Sequence, residues 1–278
     1  MTLKLTEHLT HKAHSRVRPA HAGGISVAVV GAGGNGCHMV SKLVRLCSTM
    51  KALGLSDLHV DIYDPKRVTA ANVGRQLFPR CDVGQLKAVV MAHRANLALE
   101  MGYWRAIPEK YVGQPRKKQN WGESQYDILI TCLDTGAACK VIYDKFQGTH
   151  ASPAYWLYLG NENNFGQTFL GQFYAEPDSP GRLPTVIDLF GDHFDGTVPE
   201  TDEPSCSVAE AIKKQRLSMN DAIASSAFTI LETLLIDGEI EYAGQWINLK
   251  TGVSNPQPVT YIDVPKRKAK PALKKGVR

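Results

Sequence analysis

The residues whose types and spacing most clearly predict chemistry are the glycines of one short turn. This turn, Gly31–Gly36, reads G-A-G-G-N-G and lies between an apolar, β-branched segment and a segment with helical apolar spacing. Glycine lets a backbone approach an anion closely, and the unpaired N–H groups and dipole of a helix N-terminus hold that anion. The stretch therefore predicts a phosphate-binding loop that contains Gly31, Gly33, Gly34 and Gly36.

Charged residues after the turn indicate which nucleotide it would hold. Asp64 ends the next apolar segment, where a carboxylate can accept hydrogen bonds from ribose hydroxyls. An aspartate that only begins a turn before Pro65 is the alternative. Arg75 provides a guanidinium for phosphate oxygens, and Lys87 adds a point charge one turn into the predicted following helix. Two cations beside a glycine loop favour a triphosphate over a dinucleotide.

A further apolar segment, 127–133, is followed directly by Asp134. The carboxyl ends of the central strands of a parallel sheet are where such sheets bind ligands. Carboxylate oxygen is a ligand that Mg²⁺ prefers. We therefore expect Asp134 to hold Mg²⁺.

Cys206 is the candidate nucleophile. Ser207 and Glu210 match a capping box, so the cysteine would lie just outside a helix N-terminus, where N–H groups and the dipole favour a thiolate. Two neighbouring acids, Asp202 and Glu203, oppose the thiolate. A cysteine that only packs under the preceding loop is the alternative.

The elements that must position these residues alternate between strand and helix. Strands are predicted at 25–30, 58–63, 103–107, 127–133, 154–160, 165–174, 245–250 and 258–263. Helices are predicted at 34–53, 83–101 and 136–148, with a helix pair over 207–237, and loops at 64–82, 113–125 and 175–204. This order predicts an α/β, Rossmann-like fold: a mostly parallel sheet wrapped by helices, with extra C-terminal strands and a long crossover loop.

Charge and composition divide the chain into three parts. The net charge is +5, but residues 266–278 contain seven basic residues and no acid, so the rest of the chain is slightly acidic. We therefore distinguish an N-terminal arm (1–24), a folded domain (25–263) and a basic tail (264–278). The arm is expected to be flexible or loosely helical. The tail is expected to be solvated and disordered, and weak binding of nucleic acid or of an acidic partner is the alternative.

Several classes of protein are disfavoured by composition. No apolar run approaches the roughly 18 residues of a membrane span, and residues 1–24 have no apolar signal-peptide core, so we expect a cytoplasmic protein. The six cysteines form no C-x-x-C pair, which argues against disulfides and against a four-cysteine zinc site. Cys37, at the predicted helix N-terminus, is expected to be a small packed side chain.

Taken together, the motifs resemble those of the ThiF/MoeB/HesA family of adenylyltransferases, which are related to ubiquitin-activating enzymes. The resemblance covers about residues 25–250. It rests on G-x-G-G-x-G, on D-x₃-V-x₃-N-x₂-R-Q from Asp64, on D-x-G-x₂-K up to Lys87, and on the segment that stops at Asp134. More narrowly, the chain is similar to the ThiF-type proteins of plasmid-associated PRTRC systems.

The resemblance implies a function and a nucleotide site. The function is ATP-dependent adenylation of the C-terminal carboxylate of a small ubiquitin-like (β-grasp) protein that ends in glycine. In the site, Asp64 binds the ATP ribose and Gln76 lies in the same pocket. The phosphates are bound by Asn72, Arg75 and Lys87.

The resemblance also implies a metal ligand, a covalent relay and an assembly. Asp134 would bind Mg²⁺, and Cys206 matches the crossover-loop cysteine that several relatives use for a thioester or sulfur intermediate. Relatives commonly form homodimers, in which Arg16 or Arg18 of one copy would reach the phosphates of the other. One departure is Lys66, which stands where many relatives have a second acid. The missing cysteine pairs place the chain with the zinc-free members.

Two other functions stay open at this point. A nicotinamide-dependent oxidoreductase also uses G-x-G-x-x-G, but it would leave Arg75, Lys87 and Asp134 without a purpose. A non-catalytic nucleotide-binding scaffold that holds a partner is the second alternative, and the intact charged residues argue against it.

Overall fold

The computed structural model of the chain describes residues 12–14, 24–114, 116–118, 122–133, 135–147, 153–175, 180–191, 194 and 217–263. The strands are β1 (Ala13–His14), β2 (Ile25–Val30), β3 (Leu58–Tyr63), β4 (Arg105–Ile107), β5 (Arg116–Lys118), β6 (Gly122–Ser124), β7 (Ile128–Thr131), β8 (Tyr155–Asn161), β9 (Phe165–Gly171), β10 (Glu239–Ile240), β11 (Tyr242–Asn248) and β12 (Val253–Pro258). The α-helices are α1 (Gly34–Ala52), α2 (Lys87–Ala98), α3 (Gly136–Phe146), α4 (Val186–Phe190) and α5 (Leu217–Ile236). Two short 3-10 helices lie at Ala70–Asn72 and Arg80–Asp82.

The main sheet has eight strands in the order β12-β11-β9-β8-β7-β2-β3-β4. From β8 to β4 neighbouring strands are parallel, whereas β9, β11 and β12 add as antiparallel strands. Parallel neighbours need crossover connections, which the helices provide. The predicted Rossmann-like α/β fold with extra C-terminal strands is confirmed.

The sheet is covered on both faces, and β2 shows why its sequence is almost continuously apolar. All six of its residues are buried. Val27 and Val29 pack into one core with α1, α2 and α5, while Ala28 and Val30 pack into a second core with α3 and α4. A strand buried on both faces has no solvent-facing positions, so it lacks the alternation of a half-exposed strand.

α5 provides the largest apolar face among the helices that the structure describes. Ile223, Ala227, Ile230 and Leu234 are fully buried or nearly so, and the helix packs on α1, β8 and β9. None of the described helices has the combined length and apolar character that a membrane crossing requires.

Helix α2 begins at Lys87 and not at residue 83. Gly84 has a φ of +91°, a conformation that ends regular structure and suits glycine. Its N–H donates to the Val68 carbonyl at 2.9 Å, and the Val68 N–H donates to the Gln85 carbonyl at 2.8 Å. This turn keeps residues 83–86 out of the helix. The predicted 83–101 boundaries were therefore wrong at both ends, since α2 stops at Ala98.

Two predicted loops contain a strand pair or an α-helix. The 113–125 loop includes the antiparallel pair of β5 and β6. The 175–204 loop includes α4, whose N-cap Thr185 accepts a hydrogen bond from the Asp188 N–H while the Asp188 carboxylate accepts one from the Thr185 N–H. Of the predicted helix pair, α5 is observed, and residues 207–216 lie outside the described ranges.

The last two strands, β11 and β12, begin three and five residues earlier than the predicted strands 245–250 and 258–263. Between them the chain turns through 249–252, where Gly252 has a φ of +73°. β12 is the outer edge of the sheet, is mostly exposed, and contains Pro256 and Pro258. Proline is tolerated there because an edge strand can do without some N–H donors.

Residues 12–14 of the N-terminal arm are anchored to the domain. β1 pairs with β10, the Lys12 ammonium lies 2.7 Å from a Glu239 carboxylate oxygen, and the Tyr155 hydroxyl donates to the His14 carbonyl at 2.9 Å. For this part of the arm the expectation of a flexible or loosely helical segment was wrong. The rest of residues 1–23 and the basic tail 264–278 lie outside the residues that the structure describes.

Candidate nucleotide-binding site

A cavity of about 830 Å³ opens at the carboxyl ends of the parallel strands. Its lining comes from the glycine loop after β2, the segments after β3 and β4, the end of β7, and the hairpin between β8 and β9. Small-molecule sites commonly have this volume, and open α/β sheets bind their ligands in this crevice.

The glycine loop is packed so closely that two of its glycines cannot be replaced without movement. Gly31 has a φ of +94°, and a Cβ there would lie 2.5 Å from the Cys132 carbonyl oxygen. A Cβ on Gly36 would lie 1.8 Å from the Gly31 carbonyl oxygen. Gly36 does not line the cavity, so its role is to let α1 pack against the loop.

Gly33 and Gly34 line the cavity. Gly33 is the N-cap of α1 and supplies no side-chain hydrogen bond, so the first N–H groups of the helix have no cap from it. Such groups can bind an anion. A Cβ on Gly34 would lie 2.4 Å from the amide nitrogen of Asn220, which packs directly on the loop.

Asp64 ties the glycine loop to the segment after β3. Its buried carboxylate accepts one hydrogen bond from the Ala32 N–H and another from the Lys66 N–H, both at 2.7 Å. Each carboxylate oxygen has a second lone pair. Asp64 can therefore hold the loop and still accept a hydrogen bond from a ribose hydroxyl.

Arg75 and Lys87, twelve residues apart in sequence, line the same cavity. Lys87 is the first residue of α2 and only 5% exposed, and its N–H donates to the Lys66 carbonyl at 3.1 Å. The Arg75 N–H donates to the Asn72 carbonyl at 3.2 Å at the end of a 3-10 helix. A buried cation is poorly screened by water, so it attracts an anion in the cavity strongly.

Gln76 lines the cavity, whereas Asn72 does not. The Asn72 side chain accepts a hydrogen bond from the Thr69 N–H at 3.0 Å and caps the 3-10 helix before Arg75, outside the cavity lining. Gln76 lines the cavity and is 7% exposed. Its amide oxygen has no hydrogen-bond partner among the described residues.

The model of the ThiF family matches residues 21–266. The chain belongs to the ThiF family. One similar solved structure is PaaA, with a TM-score of 0.54 and 13% sequence identity over 84% of this chain and 64% of PaaA. Another is E. coli MccB with ATP, with a TM-score of 0.54 and 13% identity over 85% of this chain and 64% of MccB. A third is E. coli MccB with MccA-N7isoASN, with a TM-score of 0.55 and 12% identity over 86% of this chain and 65% of MccB.

This ThiF-family chain thus spans somewhat less than two thirds of the length of those structures. At such low identity the likeness establishes the fold alone. A search of curated proteins finds no match.

Two of the predicted functional residues of this ThiF-family chain, Asp134 and Cys206, lie outside the described residues, as do Arg16 and Arg18. Leu133, directly before Asp134, lines the cavity. Among the residues that are described, no group of three His, Cys, Asp or Glu side chains could hold a metal ion.

Cys37, directly after the glycine loop of this ThiF-family chain, is a packed side chain, as predicted. It is fully buried, its thiol donates to the Gly34 carbonyl at 3.1 Å, and its sulfur accepts from the Leu77 N–H at 3.3 Å. Burial raises the pKa of the Cys37 thiol, which outweighs the stabilising effect of the helix N-terminus and of nearby hydrogen bonds on the thiolate.

Sequence reasoning missed one wall of the cavity, where Tyr63 and Tyr111 line the space. The Tyr63 and Tyr126 hydroxyls share a hydrogen bond of 2.8 Å, and Tyr126 donates to Asp61, which pairs with Arg105. Burial raises the pKa of Tyr63 above its ordinary value. The only sequence signal was the tyrosine directly before Asp64.

Three asparagines of the ThiF-family cavity were also missed: Asn35, Asn161 and Asn220. Asn35 occupies the second variable position of G-x-G-G-x-G, so the motif predicts where this residue lies but not what it does. The other two are far apart in sequence and have no motif around them.

Proposed function

We propose that this chain is an ATP-dependent adenylyltransferase that activates the C-terminal carboxylate of a small ubiquitin-like (β-grasp) protein ending in glycine. The observation that carries the proposal is that Arg75 and Lys87 line one cavity with the glycine loop and Asp64. A nicotinamide dehydrogenase requires the loop and the ribose carboxylate but not these two cations. Membership of the ThiF family and the structural likeness to E. coli MccB, which was solved with ATP, support the same function.

The proposed reaction needs no nucleophile from the protein. A carboxylate oxygen of the substrate attacks the α-phosphorus of ATP, a new C(O)–O–P bond forms, and the bond from the α-phosphorus to the bridging oxygen breaks. The electron pair of that bond leaves with pyrophosphate. Because an anion attacks a polyanion, the protein must offset negative charge on both sides of the phosphorus. Arg75, Lys87 and the N–H groups of the glycine loop would do this.

We propose the remaining contacts to the nucleotide and its metal ion from the places of three further residues in or beside the cavity lining. Asp64 would accept hydrogen bonds from the ribose, and the unpaired amide oxygen of Gln76 would accept a donor of the nucleotide in the same cavity. We propose Asp134 as the Mg²⁺ ligand, because carboxylate donors suit Mg²⁺ and the residue follows Leu133 of the lining. When bound, the ion would offset phosphate charge.

Replacing Arg75 by alanine should weaken ATP binding by about 10- to 150-fold, or ~1.5–3 kcal/mol, the scale of a hydrogen bond to a charged group. The affinities of the whole chain for ATP, ADP and NAD⁺ are measured by isothermal titration calorimetry. Arg45→Ala is the matched control, since Arg45 is exposed on α1 and outside the cavity lining. A preference for NAD⁺ would overturn the proposed function, and unchanged ATP affinity in Arg75→Ala would remove that residue from the phosphate site.

We also propose Cys206 as a covalent relay that receives the acyl group from the adenylate as a thioester and releases AMP. Incubation with ATP and the glycine-terminated partner should give a thiol-sensitive adduct that is missing in Cys206→Ala, measured by intact-protein mass spectrometry. Cys81→Ala, at an exposed cysteine, is the control and should keep the adduct. An adduct that survives Cys206→Ala would place the relay elsewhere.

The assembly and setting are proposed on the family resemblance. We propose a cytoplasmic homodimer in which Arg16 or Arg18 of one copy reaches the phosphates bound by the other. The narrower likeness to PRTRC-system proteins stays a prediction.

A further inference from the structure

Three asparagine side chains line the cavity: Asn35 on α1, Asn161 at the end of β8, and Asn220 on α5. We call them the amide cluster. The Asn35 amide nitrogen donates to the Asn161 side-chain oxygen at 2.7 Å. The Asn161 amide nitrogen lies 3.4 Å from the Asn220 side-chain oxygen in a weaker hydrogen bond. The three amides therefore form a chain from the start of α1, through the end of β8, to α5.

The two ends of this chain of amides are left unused. Neither Oδ1 of Asn35 nor Nδ2 of Asn220 has a hydrogen-bond partner among the described residues. Both side chains are deeply buried, with Asn35 9% and Asn220 0% exposed. Unpaired polar atoms at such depth are rare because each loses its hydrogen bonds to water. The amide cluster thus offers one acceptor and one donor to a bound molecule.

Charge separates the two ends of the cavity. The lining cations Lys66, Arg75, Lys87 and Lys110 all follow β3 or β4 along the chain, and they outnumber the two lining acids of the same segments, Asp64 and Glu109. At the β8–β9 end the charged residue in the described lining is Glu162, an acid. In the sheet, β3 and β8 are separated by β2 and β7, three strand spacings or roughly 14 Å. Phosphates therefore belong at the cation end, and a neutral polar group belongs at the amide cluster.

We propose that the amide cluster binds the last peptide group of the acyl substrate. The Asn35 oxygen would accept the N–H of that group, and the Asn220 amide would donate to its C=O. A peptide group has one donor and one acceptor, which complements the two unused atoms. This proposal rests on the proposed function and adds the residues that would distinguish a carboxylate at the end of a polypeptide main chain from a free carboxylic acid.

The motif glycine Gly34 gains a second role from this arrangement. Its missing side chain leaves the space that the Asn220 amide occupies, 2.4 Å from where a Cβ would lie. The loop therefore shapes the acyl end of the cavity as well as the nucleotide end.

Stable mimics of the acyl-adenylate test the proposal without knowledge of the natural partner. The probes are 5′-O-sulfamoyladenosine acylated with acetyl, N-acetylglycyl or N-acetylsarcosyl groups. The acetyl probe has no peptide group. The N-acetylglycyl probe has a peptide group with an N–H, whereas the N-acetylsarcosyl probe has a methyl group on that nitrogen and therefore no N–H. Calorimetry of the full chain should give about 10-fold tighter binding of the N-acetylglycyl compound than of the acetyl compound. N-acetylsarcosyl should lose this gain.

Asn35→Leu and Asn220→Leu should each reduce the gain, taken as the ratio of the N-acetylglycyl and acetyl affinities of the same variant, to less than twofold. Asn164→Leu is the matched control, an asparagine of the β8–β9 turn outside the lining, and should keep the gain. Equal binding of the first two probes by the unchanged chain, or a full gain in Asn35→Leu, would overturn the proposal. If Asn220→Leu does not fold, the proposal is tested by the N-acetylsarcosyl probe and by Asn35→Leu. Failure of the acetyl compound itself to bind would instead overturn the proposed function.

Discussion

Replacing Asp134 by alanine should slow ATP–pyrophosphate exchange by about 10²- to 10³-fold, or ~2.7–4 kcal/mol, the scale of one lost electrostatic contact in a transition state. In sequence Asp134 stands between Leu133 and Thr135, which both line the cavity after β7. Without this carboxylate the metal would be held less well, and the charge of the phosphates would be offset only by the cations and the loop.

The measurement is exchange of labelled pyrophosphate into ATP in the presence of the glycine-terminated partner. Asp144→Ala is the control, because Asp144 is exposed on α3 and pairs with Lys140 away from the cavity. The control should exchange at the rate of the unchanged chain. If Asp134→Ala also does so, Asp134 is not the metal ligand.

Gly36→Ala should lower the free energy of unfolding by about 3 kcal/mol, the upper range for overpacking a close contact. The new Cβ would lie 1.8 Å from the Gly31 carbonyl oxygen. That oxygen belongs to the backbone, so no flexible side chain can move aside. Either α1 shifts or the loop opens, and in both cases the N–H groups no longer converge on a phosphate, so ATP binding should be lost as well.

Urea denaturation and calorimetry with ATP measure the two effects of Gly36→Ala. Gly102→Ala is the control, since a Cβ there meets nothing within 4 Å and its φ is not positive. The control should match the unchanged chain in both measurements. Unchanged stability of Gly36→Ala would show that the loop can relax around a methyl group.

The order of strands and helices was predictable because burial on two faces leaves a strong sequence signal. β2 and β3 were placed to the residue, since each is a short apolar run next to a glycine or an aspartate. The predicted ends of helices and strands were wrong where the backbone conformation of a single residue determines them. Gly84 and Gly252 adopt positive φ values that shorten α2 and shift the last two strands, and a sequence does not reveal the sign of φ.

The cation end of the site was predictable and the amide end was not. Arg75 and Lys87 follow the same strand within a recognisable motif, so their common location could be inferred. Asn35, Asn161 and Asn220 meet only because β8 lies two strands from β2 and α5 packs on α1. No local pattern contains that information. The capping role of Asn72 was likewise hidden, because it depends on a 3-10 helix three residues long.

The prolines of β12 have a consequence for how a protein partner can approach. Many peptide-binding domains take up a partner by β-augmentation, in which an extended segment adds to an exposed sheet edge through main-chain hydrogen bonds. At the outer edge of this sheet, Pro256 and Pro258 remove two of the six N–H groups of the strand. The opposite edge strand, β4, is three residues long. The two edges of this sheet therefore offer little template for strand addition, and we expect the proposed partner to be bound through its C-terminal segment in the cavity.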